Sequence, residues 1–204
     1  MRFVAAAAHR LQPWKNCLGV SRVIADDPAG AGFDALRWQV SATEIAGDCP
    51  FSALPGLDRL FVVIEGAGVV LESMDEHGTN HEASLPAGAA PHAFRGDWTT
   101  HCHLIGGPVR VLNVIARRGV FAAALRREHA TSIVAAAGET LVAVDPSTLD
   151  AWISGDGDSM PSAARDPGVA RIRPTERLGG LRARAWAFAR PRGRPAPGWP
   201  SSGA

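Results

Sequence analysis

The feature that most restricts this chain is the segment LFVVIEGAGVVL at residues 60–71. Two apolar, β-branched runs flank Glu65-Gly66-Ala67-Gly68 there. Such side chains suit a pleated strand, and glycine tolerates the positive φ that a tight hairpin turn demands. The arrangement recurs. Residues 99–105 and 109–115 are separated by Gly106-Gly107-Pro108, and residues 132–137 and 140–144 flank Gly138-Glu139. Three hairpins are expected.

Other segments fit the same reading. Residues 36–45 (LRWQVSATEI) place Leu36, Trp38 and Val40 on alternate positions with Arg37 and Gln39 between them, the period of a half-buried strand. Residues 1–8 read as a first strand, and 151–154, 169–172 and 182–188 as short later ones. Residues 75–82 read as a polar loop. Residues 120–129 carry an alanine-rich helical propensity, a weak guide on its own. With 22 Gly, 15 Pro and almost no helical pattern, the expected fold is all-β. Double-stranded β-helices, the jelly-roll barrels of the cupin type, remove most exposed strand edges and enclose a pocket. Two in tandem are expected, over residues 1–118 and, smaller, 119–190, with a disordered Pro/Gly/Arg tail at 191–204.

Composition removes other classes. A formal net charge of +1 argues against a nucleic-acid partner. The longest strongly apolar run, residues 60–64, is far too short to span a bilayer. His9 and Arg10 interrupt the N-terminal apolar stretch before a signal-peptide core forms, so a cytoplasmic protein is expected. Cys17, Cys49 and Cys102 are odd in number and widely spaced, without a CxxC pair. They indicate neither a disulfide framework nor structural zinc.

Pro13-Trp14-Lys15-Asn16 followed by Gly19-Val20-Ser21-Arg22 is a polar-aromatic cluster. Trp14 suits a pocket wall, Asn16 offers donors and an acceptor, and Arg22 offers a fork that matches a carboxylate; the plain alternative is an exposed loop. The cluster opens an ordered series of blocks: PWKN-CLG-VSRVIA, then WQVS with EIA, PFSALPGLDR, IEGAG, PHAFRGD and GGPVRVLNVIARR. Over residues 10–118 this series resembles the HutD/Ves family. The resemblance implies a bicupin fold and an association with histidine utilisation. It also implies a bound small carboxylated metabolite, formylglutamate- or urocanate-like, in a regulatory or buffering role. Binding rather than catalysis is then expected, with no cofactor.

The implied ligand-binding residues are Trp14, Asn16, Arg22, Trp38, Ser41, Arg59 and Asn113. In this picture Arg22 and Arg59 hold carboxylates, Asn16 and Asn113 orient the ligand, and Trp14 and Trp38 supply walls. Phe51, Pro55, Gly56 and Phe94 read as packing and turn positions. Trp38 and Ser41 stand an odd number of residues apart, so an ideal strand cannot present both to one pocket. A bulge, a strand end or a single lining residue is expected there. Two positions depart from the family pattern. Cys17-Leu18 replace small residues, adding bulk to a loop expected near the ligand, and Val111 stands where an acidic residue is frequent. Cys17 reads as an apolar filler rather than a nucleophile.

The alternative function is a metal-dependent cupin enzyme, an oxygenase or isomerase using His92, His101 and His103. Residues 101 and 103 of a strand share a face, so both imidazoles could reach one metal. No carboxylate follows within Leu104-Ile105-Gly106-Gly107-Pro108, and the plainer reading turns both His to solvent and Cys102 to the core. Asp156 and Asp158 read as a polar turn rather than a calcium loop. A third, weaker reading is a structural partner in an enzyme assembly. The expected partner is a small anionic metabolite, without nucleic acid or membrane, and with a homodimer as the assembly to test.

Overall fold

The computed structural model describes residues 1–16, 18–127, 132–155, 159–161 and 168–174. Cys17, the Asp156–Asp158 turn, the strand expected at 182–188 and the tail at 191–204 lie outside the described residues. The strands are β1 (Arg2–Val4), β2 (Arg10–Pro13), β3 (Val20–Asp27), β4 (Trp38–Ile45), β5 (Cys49–Pro50), β6 (Leu57–Glu65), β7 (Gly68–Met74), β8 (Asn80–Pro86) and β9 (His92–Arg95). They continue as β10 (Thr99–Leu104), β11 (Val109–Arg117), β12 (Phe121–Arg127), β13 (Ser132–Val134), β14 (Thr140–Val144), β15 (Ala151–Gly155), β16 (Ser159–Pro161) and β17 (Gly168–Pro174). Among the described residues the only helical element is a 3₁₀ turn at Ala6–Ala8. No helix there is long and apolar enough to cross a membrane.

Three sheets stack. The central sheet runs β2-β3-β4-β11-β6-β9, the front sheet β5-β10-β7-β8 and the back sheet β1-β15-β14-β17-β12; β13 and β16 form a separate pair. Side-chain alternation explains the order. In β11, Val109 and Val111 face the front sheet, while Leu112, Val114 and Ala116 face the back. In β6, Phe61 and Val63 face forward and Val62 backward. The middle strands are therefore buried on both faces, which is why they read as near-continuous apolar runs. One core, with Val69, Leu71, Leu85 and Cys102, lies between the central and front sheets. Another, with Trp38, Val40, Leu125, Val142 and Ile172, joins the central sheet to the back sheet.

The three expected hairpins are not hairpins. β6 and β7 belong to different sheets, as do β10 and β11, and β13 and β14. Each glycine-rich connection is an arch that carries the chain across a sandwich or to another sheet. The reason is burial. Phe61 and Val63 of β6 and Val69 and Leu71 of β7 share one core, so each run covers the other face to face rather than edge to edge. The arches at 66–68 and 106–108 nest against each other: a Cβ on Gly66, whose φ is +97°, would lie 2.6 Å from the Pro108 carbonyl oxygen. Among the described residues, consecutive strands pair antiparallel at β2–β3, β3–β4, β7–β8 and β14–β15.

Two further expectations change. Residues 80–82 of the expected polar loop form the start of β8, an edge strand whose solvated side needs no apolar pattern. Residues 121–127 form β12, paired with β17, so tertiary packing overrides the alanine-rich propensity. The first strand is present, but it pairs with β15 in the back sheet, placing residues 2–4 among strands from the chain's second half.

Candidate functional site

A cavity of about 40 Å³ lies on the front-facing side of the central sheet, room for about three water molecules. Period-two alternation builds its polar wall. β4 presents Gln39, Ser41 and Thr43; β11 presents Val111, Asn113 and Ile115; β6 presents Arg59 and Phe61. The register brings them side by side, with Ser41 opposite Asn113, Asn113 opposite Phe61, and Ile115 opposite Arg59. Phe51, Ser52 and Leu54 close one side, Trp14 and Ser21 of the β2–β3 hairpin another, and Phe33 of the β3–β4 loop a third. Gln39, Ser41, Arg59, Phe61 and Asn113 are buried, whereas Trp14, Ser21, Phe33, Phe51 and Ser52 are half-buried, so the opening lies on the loop side.

Arg59 dominates the electrostatics. Its side chain is 8% exposed, and its guanidinium lies 4.7 Å from the Phe51 ring centroid and 5.0 Å from that of Phe94. Among the described residues its Nε has no hydrogen-bond partner, and no carboxylate lines the cavity. Burial draws its pKa down to about 10, still far enough above neutrality to keep the charge. Asn113 is also buried, with its Oδ1 unpartnered. Around them the polar groups are ordered. The Trp14 indole N–H donates to Ser21 Oγ at 3.0 Å, Ser21 Oγ lies 2.7 Å from Thr43 Oγ1, and Gln39 Nε2 donates to Gln12 Oε1 at 2.7 Å. A Cβ on Gly19 would lie 2.9 Å from the Trp14 ring, so the close seat of that indole requires glycine.

Of the residues expected at a ligand, the structure brings together Trp14, Ser41, Arg59 and Asn113. Three lie elsewhere. Trp38 points to the opposite face of β4, into the core shared with the back sheet; the β4–β11 register runs without a bulge, so its odd spacing from Ser41 divides them. Arg22 is exposed beside Ser21, which takes the inward position. Asn16 spends its side chain within the protein. Its Nδ2 donates to the Pro50 carbonyl at 3.0 Å, its Oδ1 accepts from the Leu18 N–H, and its own N–H donates to Ser52 Oγ. It fastens one rim of the cavity to another. Leu18 is 59% exposed and adds no bulk to the cavity, whereas Val111 does line it.

Sequence reasoning missed Ser21, Gln39, Thr43 and Phe33 and read Phe51 and Phe94 only as packing. A legible signal existed in Gln39, Ser41 and Thr43, a polar stripe at period two. Gln39 was expected on the solvent side, but that face looks into the cavity.

The three imidazoles do not converge. His92 shares the inward face of β9 with Phe94, 5.7 Å away between ring centroids, and burial lowers its pKa. His101 and His103 lie on the face of β10 opposite the buried Cys102, their rings 4.6 Å apart. His103 is held by Asp48, with Nδ1 3.0 Å from Oδ2, and by Glu72, with Nε2 3.6 Å from Oε2. Among the described residues no three His, Cys, Asp or Glu side chains are placed to hold one metal ion.

The stacked antiparallel sheets have the jelly-roll fold of the cupin class, and Bacillus subtilis oxalate decarboxylase shares the fold, with a TM-score of 0.54 at 7% identity over 85% of this chain and 77% of that one. Closer likeness is to HutD from Pseudomonas fluorescens SBW25, with a TM-score of 0.68 at 26% identity over 85% of this chain and 98% of that one. The 21.2 kDa protein in the hutC 3′ region of Pseudomonas putida is 30% identical over 142 residues, 70% of this chain and 72% of the relative. The HutD family model matches residues 6–166. The chain belongs to the HutD family, which is associated with histidine utilisation.

Proposed function

We propose that this HutD-family chain is a tandem bicupin that binds a small carboxylated metabolite of histidine utilisation in the cavity at Arg59, in a regulatory or buffering role. The observation that carries the reading is Arg59 itself: a buried cation, faced by two aromatic rings, with no acidic partner lining its cavity among the described residues. A buried charge without a partner is costly, and a carboxylate ligand supplies both the opposite charge and the missing acceptor. The small volume suits a carboxylate head with a few neighbouring atoms; the rest of a formylglutamate- or urocanate-like molecule would extend toward the half-buried rim at Trp14 and Phe33. The back sheet and the β13–β16 pair support a second barrel. The partner in this reading is the small anion, in the cytoplasm, with neither nucleic acid nor membrane involved.

Thermal-shift measurements with acetate, urocanate and formylglutamate test it. A ligand at about 100 times its dissociation constant stabilises the fold by roughly 2.7 kcal/mol, a rise of roughly 5–10 °C for a chain of this size. Arg59→Gln is expected to erase that rise, and Arg22→Ala, on the exposed face, to leave it intact. Equal responses of the two variants, or no rise with any carboxylate, would refute the proposal.

A further inference from the structure

β5 is two residues long and lies at the edge of the front sheet, and its antiparallel register sets Cys49 directly opposite Cys102 of β10. Opposed residues in an antiparallel pair share a face, with Cα atoms about 4.5–5.5 Å apart. A disulfide requires roughly 4.4–6.8 Å. Both side chains turn inward. Cys102 is fully buried in the front core, and Cys49 packs against the same core while remaining partly exposed. Both are free thiols. Nothing in the sequence spacing marks them as partners; only the register does.

We propose that Cys49 and Cys102 form a redox-responsive pair that closes into an intrachain disulfide, with a small-molecule disulfide as oxidant, and that closure stiffens the Phe51 wall of the cavity. The more exposed Cys49 reacts first. Its thiolate attacks one sulfur of the small disulfide, forming a mixed disulfide and expelling one small thiolate. Cys102, deprotonated, attacks the Cys49 sulfur, and the mixed bond breaks as the second small thiolate leaves. Two electrons pass from the protein to the oxidant, and the two thiol protons end on the released thiols. Burial pushes Cys102 up to about 12 and also raises Cys49, so closure is slow at neutral pH.

The link to the cavity is short. Phe51 follows Cys49 by two residues, its N–H donates to the Thr100 carbonyl at 2.9 Å, and its ring faces Arg59 at 4.7 Å. The ladder of β5 against β10 is only two residues long, so a covalent tie there fastens a short edge segment otherwise held by hydrogen bonds and packing. Any effect on ligand affinity rests on the carboxylate reading above; the disulfide and the stiffening do not.

The test uses the full chain carrying Cys17→Ser, incubated folded in oxidised glutathione, then digested without reductant for mass spectrometry. The expected product is a peptide pair joined through Cys49 and Cys102, lighter by two hydrogens and separated by dithiothreitol. Oxidation is expected to raise Tm by roughly 5–10 °C and to slow hydrogen exchange of the Phe51 amide about tenfold. Cys49→Ser, which leaves the core cysteine in place, should show neither change. Both thiols persisting in the folded protein while the urea-unfolded chain is oxidised, or a mixed disulfide persisting at Cys49, would overturn the pair. A linked peptide with unchanged exchange at Phe51 would overturn the stiffening.

Discussion

Arg59 and Trp38 show how much one residue's facing decides. Arg59 is a buried cation with no carboxylate among the described residues of the cavity lining. Replacing such a group with an apolar side chain of similar length removes a desolvation penalty. Arg59→Met is therefore expected to raise the stability of the ligand-free protein by about 1–2 kcal/mol, while abolishing any carboxylate-induced rise in Tm. Chemical denaturation with and without acetate measures both. Loss of stability on this substitution would show that the cation is satisfied within the protein. Arg117 presents the opposite case, with every contact internal. Its guanidinium donates to the carbonyls of Leu36 at 2.8 Å, Asp34 at 2.9 Å and Phe33 at 3.1 Å. Arg117→Ala leaves these without their charged donor, and a loss of about 1–3 kcal/mol is expected. Phe33 lines the cavity, so the same variant should also weaken ligand binding, which calorimetry would register.

At the scale of elements, the front sheet owes part of its stability to paired charges on its outer face. The hydrogen bond to Asp48 raises the pKa of His103 above 6.5, with Glu72 adding to the effect. The folded imidazole thus holds its proton to higher pH than the unfolded one, and its contribution is full below about 6.5 and lost as pH rises through the folded value. Asp48 is shifted the other way, first by the Leu104 N–H and then by His103. Its contribution is present above about 3.8 and lost as pH falls through its lowered folded value. The pair therefore supports the fold most between those limits. Both groups are solvent-exposed, so the effect is small and screened by salt. His103→Gln is expected to flatten the decline in Tm above pH 6.5, as a pH series at low ionic strength would show. Asp75 anchors the β7–β8 hairpin by accepting from the His77 and Thr79 N–H groups, both at 2.9 Å. Its pKa falls to about 2, with the His81 hydrogen bond the largest cause, so that turn should survive well into acid.

At the scale of the whole molecule, the described parts of the chain are joined through the central sheet. Trp38, Val40, Leu112 and Val114 pack against Val142, Val144, Ala170 and Ile172 of the back sheet. Residues 2–4 cross to that sheet, and the Ala6 N–H donates to Asp150 Oδ1 at 2.9 Å. The two halves should accordingly unfold as one unit. Trp38→Ala is expected to cost about 3–5 kcal/mol and to shift a single transition. Two separated transitions in calorimetry would show instead that the halves are independent.

The sequence alone determined that the chain is built of short strands, that its family is HutD, and that Arg59, Ser41 and Asn113 belong among the residues to consider together. Local chemistry suffices for these: β-branched runs favour pleated backbone, glycine permits the sharp turns, and ordered motif blocks carry kinship. Side-chain parity also predicted that Trp38 and Ser41 would part company on an unbulged strand. Parity, however, only sorts residues into two sets; it does not say what each set faces. Stacking of the sheets decided that Gln39 looks into a cavity rather than solvent, and that Trp38 lies in a core rather than a pocket wall. It also decided that Arg22 is exposed while Ser21 beside it turns inward. The same holds for the turns, since a glycine connection serves a hairpin and a sheet-crossing arch equally well. What chooses between them is whether the two flanking runs cover each other's apolar faces, as β6 and β7 do; each then finds its edge partners in other strands, β6 in β11 and β9 and β7 in β10 and β8.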